Sequence, residues 1–150
     1  MSDMDLYNAA RSGDLETLRR IANRSNVNTN DWDGLTPLYM AALGGHVETC
    51  RYLISVGAEV NKTDKRGCTP LHIAAGSRHV ETCQCLVENG ADINKFDNNG
   101  RTPPQHTVNE EVIAYLKSVE DERRELAFVF KRAHIEDDDY DDYDEEEGDK

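Results

Sequence analysis

The apolar residues in the central part of the chain form two short helical patterns followed by a polar loop. Within residues 36–57, Thr36 and Pro37 predict a helix start, because a threonine hydroxyl can cap the first turn and proline needs no hydrogen-bond acceptor there. The pair Gly44-Gly45 ends this helix. A second apolar stripe, with spacings of three and four residues, predicts another helix that ends at Gly57; its members are Val47, Cys50, Leu53 and Ile54.

The whole pattern returns along the chain at a constant interval of 33 residues. The stretch DGLTPLYMAA at 33–42 returns as RGCTPLHIAA at 66–75, and HVETC at 46–50 recurs identically at 79–83. Another copy begins with GRTP at 100–103. Because neither helix of one copy can bury its apolar side alone, the copies are predicted to stack on one another.

These motifs resemble ankyrin repeats. The resemblance rests on Thr-Pro-Leu-His-x-Ala-Ala at 69–75, Gly-His at 45–46 and Gly-Ala-Asp-Ile-Asn at 90–94, and the layout is similar to that of small stand-alone ankyrin proteins. It implies an all-α ankyrin-repeat solenoid of about four helix-turn-helix units with hairpin loops. The predicted repeats lie within residues 1–118, at about 5–28, 29–61, 62–94 and 95–118.

The last repeat departs from the pattern, because Pro104 and Gln105 stand where leucine and histidine are expected. Its first helix should therefore be short or irregular, while residues 111–118 supply the second. The resemblance also implies that His72 hydrogen-bonds the adjacent hairpin loops. Asn28, Asn61 and Asn94 recur at one position, where loop hydrogen bonding is expected; Asn61 and Asn94 also resemble acceptors of ankyrin asparagine hydroxylation.

The resemblance implies that a partner protein binds the concave face, which the hairpin tips and first helices form. Aromatic and arginine side chains at loop tips are the types that anchor interfaces. Trp32 is the preferred anchor; the alternative is that it packs on the preceding repeat. The candidate partner-binding residues are Trp32, Asp33, Leu35, Lys65, Arg66, Phe96, Asn98 and Arg101.

Residues 119–135 predict one further helix, with a charged first half and an apolar stripe over residues 126–133. Two roles are open for it. The helix could cap the exposed end of the stack, since terminal repeats need a polar outer face. It could instead be an amphipathic helix that docks on a partner.

The net charge of −13 is concentrated at one end of the chain. Residues 136–150 hold 11 acids and one lysine, a net −10, whereas residues 1–135 hold 19 acids and 16 bases, a net −3. Such a segment cannot bury apolar surface, so a disordered acidic tail is predicted.

Three roles are open for the acidic tail. It could provide solubility, occupy the concave face of its own chain as an autoinhibitor, or make the protein an acidic-tailed chaperone for a basic protein such as a histone or ribosomal protein. The candidate contacts for electrostatic capture are Asp137, Asp138, Asp139, Tyr140 and Tyr143.

Other classes of function lack support in the sequence. It contains no nucleophile elbow, P-loop, dinucleotide fingerprint or HExxH motif, so no enzyme and no cofactor are expected. Cys83 and Cys85 have the wrong spacing for zinc, so no metal is expected. A basic footprint and a long apolar run are missing, which argues against direct nucleic-acid and membrane binding. Since no signal-peptide pattern precedes the repeats, we expect reduced thiols and a location in the cytoplasm and/or nucleus. A monomer is also expected.

Overall fold

The computed structural model describes the backbone of residues 3–142 and the side chains of residues 3–133. Over this part of the chain the regular elements are all helices, joined by loops, and there is no strand, which confirms the predicted all-α class. The helices are α1 (Asp3–Ser12), α2 (Leu15–Ile21), α3 (Pro37–Gly44), α4 (Val47–Val56), α5 (Pro70–Gly76), α6 (Val80–Glu88), a 3₁₀ helix (Pro103–His106) and α7 (Glu110–Asp142).

The first helix of each central repeat begins at the predicted Thr-Pro pair. Thr36 Oγ1 accepts a hydrogen bond from the Tyr39 amide at 3.2 Å, and Thr69 Oγ1 accepts one from the His72 amide at 3.3 Å. Each of these bonds satisfies an amide that the helix itself leaves unpaired. α3 ends where Gly45 takes the left-handed conformation, with φ of 72°.

The second helices are joined to the preceding repeat by the histidines that stand before them. His46 Nε2 lies 2.8 Å from the carbonyl oxygen of Arg11, at the end of α1. His79 Nε2 lies 3.2 Å from the carbonyl oxygen of Leu43, near the end of α3. Each of these histidines therefore connects two successive repeats.

The core is a row of buried residues at equivalent positions of successive repeats. Cys50 and Cys83 are fully buried on the apolar stripes of α4 and α6, and burial raises the pKa of each thiol to about 12. They act as small apolar residues and not as nucleophiles. The fully buried leucines are Leu6, Leu18, Leu38, Leu53, Leu71, Leu86 and Leu116.

The last repeat has the short, irregular first helix that its sequence predicts. Only the four residues Pro103–His106 form a 3₁₀ helix. The second helix begins at Glu110, after Asn109 Oδ1 accepts a hydrogen bond from the Val112 amide at 3.0 Å. Val112 and Leu116 are fully buried and complete the core of this repeat.

The chain divides into two compact units, Met1–Leu116 and Lys117–Lys150. In the second unit α7 runs on to Asp142, and no glycine or proline interrupts residues 110–142. The disorder expected of the acidic tail stays a prediction. Residues 143–150 lie outside the described residues. The capping and docking alternatives for 119–135 stay predictions; the large apolar side chains exposed there are Leu126, Phe128, Val129 and Phe130.

Candidate protein-binding surface

Three equivalent hairpins, residues 29–35, 62–68 and 95–101, project from the first compact unit. Each is organised by an aspartate whose Oδ1 accepts hydrogen bonds from two amides of its own hairpin. Asp64 Oδ1, for example, lies 2.8 Å from the Arg66 amide and 2.9 Å from the Cys68 amide. Asp31 and Asp97 repeat this arrangement. The hairpins thus have a fixed shape before any partner binds.

Backbone hydrogen bonds join each hairpin to the next. The Lys65 amide donates to the Asp33 carbonyl oxygen at 2.9 Å, and the Asn98 amide donates to the Arg66 carbonyl oxygen at 2.8 Å. The Asn98 side-chain amide also donates to the Lys65 carbonyl oxygen at 3.0 Å. Asn98 was predicted to contact a partner; in the structure it is exposed, and its amide also holds the second and third hairpins together.

An open pocket of about 420 Å³ lies beside the first two hairpins and the first helices α3 and α5. It brings together four of the predicted partner-binding residues: Asp33, Leu35, Lys65 and Arg66. The remaining lining residues are Tyr39, Leu43, Asp64 and Ile73, so the pocket combines apolar with charged side chains. Together, the three hairpins, Tyr39, Leu43 and Ile73 are called the hairpin face below.

Tyr39 stands in the helix slot that His72 occupies in the following repeat, and it makes a different connection. Its hydroxyl donates to Asp64 Oδ2 at 3.0 Å and accepts from Arg66 Nη2 at 3.2 Å. Burial, followed by the bond to Asp64, raises the pKa of Tyr39 far above its usual range. Tyr39 therefore remains a neutral donor that holds Asp64 and Arg66 at the pocket wall.

His72 has the role that the sequence resemblance implies. Its Nδ1 lies 3.0 Å from the Thr69 amide and 2.9 Å from Thr69 Oγ1. Its Nε2 lies 3.0 Å from the Arg101 carbonyl oxygen, in the third hairpin. The ring thus connects the start of α5 to the next hairpin, which confirms the prediction that it bonds an adjacent loop.

Two aromatic side chains of the hairpin face are exposed. Trp32 is fully exposed, at 100% of its reference area, and Phe96 is 65% exposed. This exposure contradicts the alternative that Trp32 packs on the preceding repeat. Trp32 lines a second pocket, separate from the first, together with Asp3, Met4, Tyr7, Asn30 and Asp31. An exposed tryptophan has the character of an interface anchor.

The charged residues of the hairpin face are arranged in two ways. Lys65 Nζ lies 2.7 Å from Asp33 Oδ1, in an ion pair whose members are both more than half exposed. Such a pair contributes little to stability, so both groups can be recruited by a partner. Arg101, by contrast, is exposed, and no ion pair is found for its side chain among the described residues.

The hairpins and paired helices agree with a known family. Residues 6–97 and 56–123 match the family described as "Ankyrin repeats (3 copies)", and together these matches cover well over half of the chain. The chain belongs to the ankyrin-repeat family. Ankyrin repeats are generally protein–protein interaction modules and are typically non-catalytic.

One curated relative of this ankyrin chain is the ankyrin repeat domain-containing protein oryK of Aspergillus oryzae. The two sequences are 38% identical over 56 residues, which make up 37% of this chain and 9% of the relative. The chain thus matches less than a tenth of that much longer protein.

A buried polar cluster of this ankyrin protein, which the sequence analysis missed, could offer metal ligands. His106 Nε2 lies 2.7 Å from Asp97 Oδ2, and Cys68 Sγ lies 3.9 Å from the same oxygen. Amides of the third hairpin, above all that of Arg101, and then the His106 ring hold the pKa of Asp97 well below its usual range. Cys68 and His106 both already bond Asp97, so hydrogen bonding accounts for the cluster.

Two of the three recurring asparagines of this ankyrin chain, Asn28 and Asn61, have the expected loop hydrogen bonds. The backbone amide of Asn94 donates to Asp92 Oδ1 at 2.9 Å. Asn28 Nδ2 donates to the Gly57 carbonyl oxygen at 2.9 Å, and Asn28 Oδ1 accepts from the Glu59 amide at 2.8 Å. Asn61 makes the same pair of bonds one repeat later. The side-chain amides of Asn28 and Asn61 thus each bridge two successive repeats, which explains the recurrence at these two positions.

Of the residues predicted to make electrostatic contacts in the acidic tail, the structure of this ankyrin protein describes only part. The backbone of Asp137, Asp138, Asp139 and Tyr140 belongs to α7, while their side chains and the whole of Tyr143 lie outside the described residues. Along the described chain, the helices are too short or too polar to cross a bilayer.

Proposed function

We propose that this ankyrin protein is a non-catalytic adaptor, scaffold or inhibitor that binds another protein through the hairpin face. The observation that carries the proposal is the pocket of the hairpin face, which combines Leu35, Leu43 and Ile73 with charged side chains. Trp32, on the first hairpin, is fully exposed. Prearranged hairpins support it further, because a surface that is ordered before binding loses less conformational entropy in the complex.

The cellular setting that we propose is the cytoplasm or the nucleus. All four cysteines are free thiols and buried: Cys50, Cys68, Cys83 and Cys85. Such thiols suit a reducing compartment. A monomer that binds its partner through one face is the simplest assembly consistent with this proposal.

Replacing the exposed anchor tests the proposed function. Trp32→Ala should weaken partner binding by at least about tenfold, since a central aromatic anchor contributes about 2 kcal/mol or more. It should leave the melting temperature nearly unchanged, because a fully exposed side chain makes little contribution to folding. Affinity capture from cell extract followed by titration of the captured protein measures binding, and thermal denaturation measures stability.

The matched control is Phe128→Ala, which removes another exposed aromatic side chain outside the hairpin face. Equal retention of the partner by wild type and Trp32→Ala, with loss in Phe128→Ala, would assign binding to residues 119–135. That result would contradict the proposal.

An alternative function is that of an acidic-tailed chaperone or escort for a basic protein. The supporting observation is the net charge of −10 in residues 136–150, which attracts cationic surfaces. This function uses a different part of the chain, so it can be tested independently of the hairpin face.

A further inference from the structure

The three hairpins differ in charge from the rest of the chain. Residues 29–35, 62–68 and 95–101 contain five bases and four acids, a net +1, although the chain as a whole has a net charge of −13. Three of the four acids, Asp31, Asp64 and Asp97, are bound by amides of their own hairpins. These carboxylates therefore point into the hairpins, and the bases remain at the surface.

The exposed charges make this surface cationic. Asp33 is the exposed acid of the hairpins, and Lys65 pairs with it at 2.7 Å. Arg66 pairs with the buried Asp64 at 3.4 Å, yet 65% of its side chain is exposed. Lys95 and Arg101 are exposed, and neither has an ion pair within the described part of the chain. A ligand that approaches the hairpins thus meets more positive than negative groups.

Apolar groups lie beside two of these cations, Lys65 and Arg66. Leu35, Leu43 and Ile73 line the pocket of about 420 Å³, whose size lies toward the small end of the range for ligand pockets. Trp32 and Phe96 stand exposed on the first and third hairpins. The surface therefore offers both a depression for a large apolar side chain and charges that favour neighbouring carboxylates.

We propose that the hairpin face binds an acidic protein segment that places a large apolar side chain in this pocket. This inference rests on the proposed function and specifies its partner class. Carboxylates on the segment would lie near Arg66, Lys95 and Arg101, while the apolar side chain contacts Leu43 and Ile73. A basic segment would be repelled by the same cations, so charge selects the partner and the pocket supplies the anchor.

Peptides of defined composition test the proposal on the full chain. The probe is a fluorescein-labelled peptide of about twelve residues, made of Glu and Ser with two central Leu. One control peptide replaces Leu by Ser, and the other replaces Glu by Lys. Fluorescence anisotropy should give an affinity at least about tenfold higher for the Glu/Leu peptide than for either control. With the unlabelled peptide, emission of Trp32, the single tryptophan, should change on binding.

Two charge reversals distinguish the loss of a cation at the hairpin face from a change in the net charge of the protein. Arg101→Glu should weaken binding of the Glu/Leu peptide by at least about tenfold, because it reverses a cation of the hairpin face. The substitution keeps the backbone groups of Arg101 that bond Asp97 and His72. Arg51→Glu makes the same charge change on α4, outside this face, and should leave the affinity within about twofold.

Several results would overturn the proposal. Equal binding of the Glu/Leu and Lys/Leu peptides would contradict the proposal that the partner segment is acidic. Equal effects of Arg101→Glu and Arg51→Glu would contradict it as well. If the protein preferred the Lys/Leu peptide and Trp32→Ala abolished that binding, the hairpin face would still be the protein-binding surface. Only the proposal of an acidic partner would then be overturned. The proposed function itself fails in the separate capture experiment, if Trp32→Ala retains the partner.

The acidic tail of the same chain could occupy the hairpin face in place of an external partner. Substituting Asp137, Asp138 and Asp139 by Asn in the full chain lowers the tail charge without shortening the protein. Peptide binding that is absent in wild type and present in this variant would assign the hairpin face to the tail and overturn an external partner.

Discussion

At the scale of single residues, Arg78 is held in an unfavourable backbone conformation. Its φ is 66°, and no other non-glycine residue in the described range has a positive φ. The equivalent positions of the two preceding repeats are Gly13 and Gly45, with φ of 77° and 72°. A residue with a Cβ atom costs about 1–2 kcal/mol in this region. The third repeat thus folds with a strain that the first two avoid.

We therefore expect Arg78→Gly to stabilise the protein. Relief of the strain, less the entropy that glycine gains in the unfolded chain, should raise the free energy of unfolding by about 0.5 kcal/mol. Urea denaturation with an unchanged m-value measures the effect. Arg78→Ala is the matched control, because it removes the guanidinium and keeps the Cβ; it should give no increase. A lower midpoint for Arg78→Gly would mean that the side chain stabilises the fold.

At the scale of elements, the packing of one hairpin on the next depends on a close backbone approach at Gly67. A Cβ built there would lie 2.7 Å from Asn98 Oδ1 and 3.0 Å from the Asn98 amide nitrogen. Gly100 has the equivalent position and a similar positive φ, 78° against 81°, but a Cβ there would meet nothing within 4 Å. Substitutions at these two glycines therefore distinguish the cost of a positive φ, which both positions have, from the cost of a steric clash, which only Gly67 has.

Alanine substitutions at these two glycines should have unequal effects. Gly100→Ala should lower the free energy of unfolding by about 1 kcal/mol through its positive φ alone. Gly67→Ala should cost about 1–3 kcal/mol more, because the added methyl forces the third hairpin away from the second. Chemical denaturation of both variants gives the difference. Equal losses would show that the hairpin contact can widen without cost.

The elements also show what the sequence could predict. Thr36 and Thr69 cap their helices as predicted because the signals are local, and the repeat fixes the same environment every 33 residues. The connection from Tyr39 to Asp64 spans 25 residues and depends on how two repeats stack, so the sequence pattern does not contain it.

The last repeat also shows that the sequence pattern predicts local structure but not the contacts between distant residues. The sequence indicated that Pro104 and Gln105 would disturb its first helix, and the structure has a 3₁₀ helix there. That shorter helix places the ring of His106 against Asp97 and 4.7 Å from the ring of His72. These contacts follow from tertiary geometry and not from a recognisable motif.

At the scale of the whole molecule, charge divides the chain into parts that favour opposite partners. The hairpins carry a net +1 with aromatic and apolar neighbours, whereas residues 136–150 carry a net −10 and no aliphatic residue. A ligand of the hairpin face should therefore depend on apolar contacts as well as charge. A ligand of the tail should depend on charge alone.

This division predicts that a basic ligand of the tail is lost when salt is added or when residues 136–150 are removed. A basic probe, such as a mixture of core histones, should bind the full chain at low salt and lose most of that binding at high salt, because exposed charges are screened beyond about 8 Å at physiological ionic strength. A 1–135 truncation, which keeps the repeats and has a net charge of only −3, should not bind the probe at either salt concentration. Its unchanged melting temperature would show that the repeats remain folded. A histone complex that survives both high salt and removal of residues 136–150 would exclude the tail as the binding element, and it would also contradict the cationic character that the hairpin face requires.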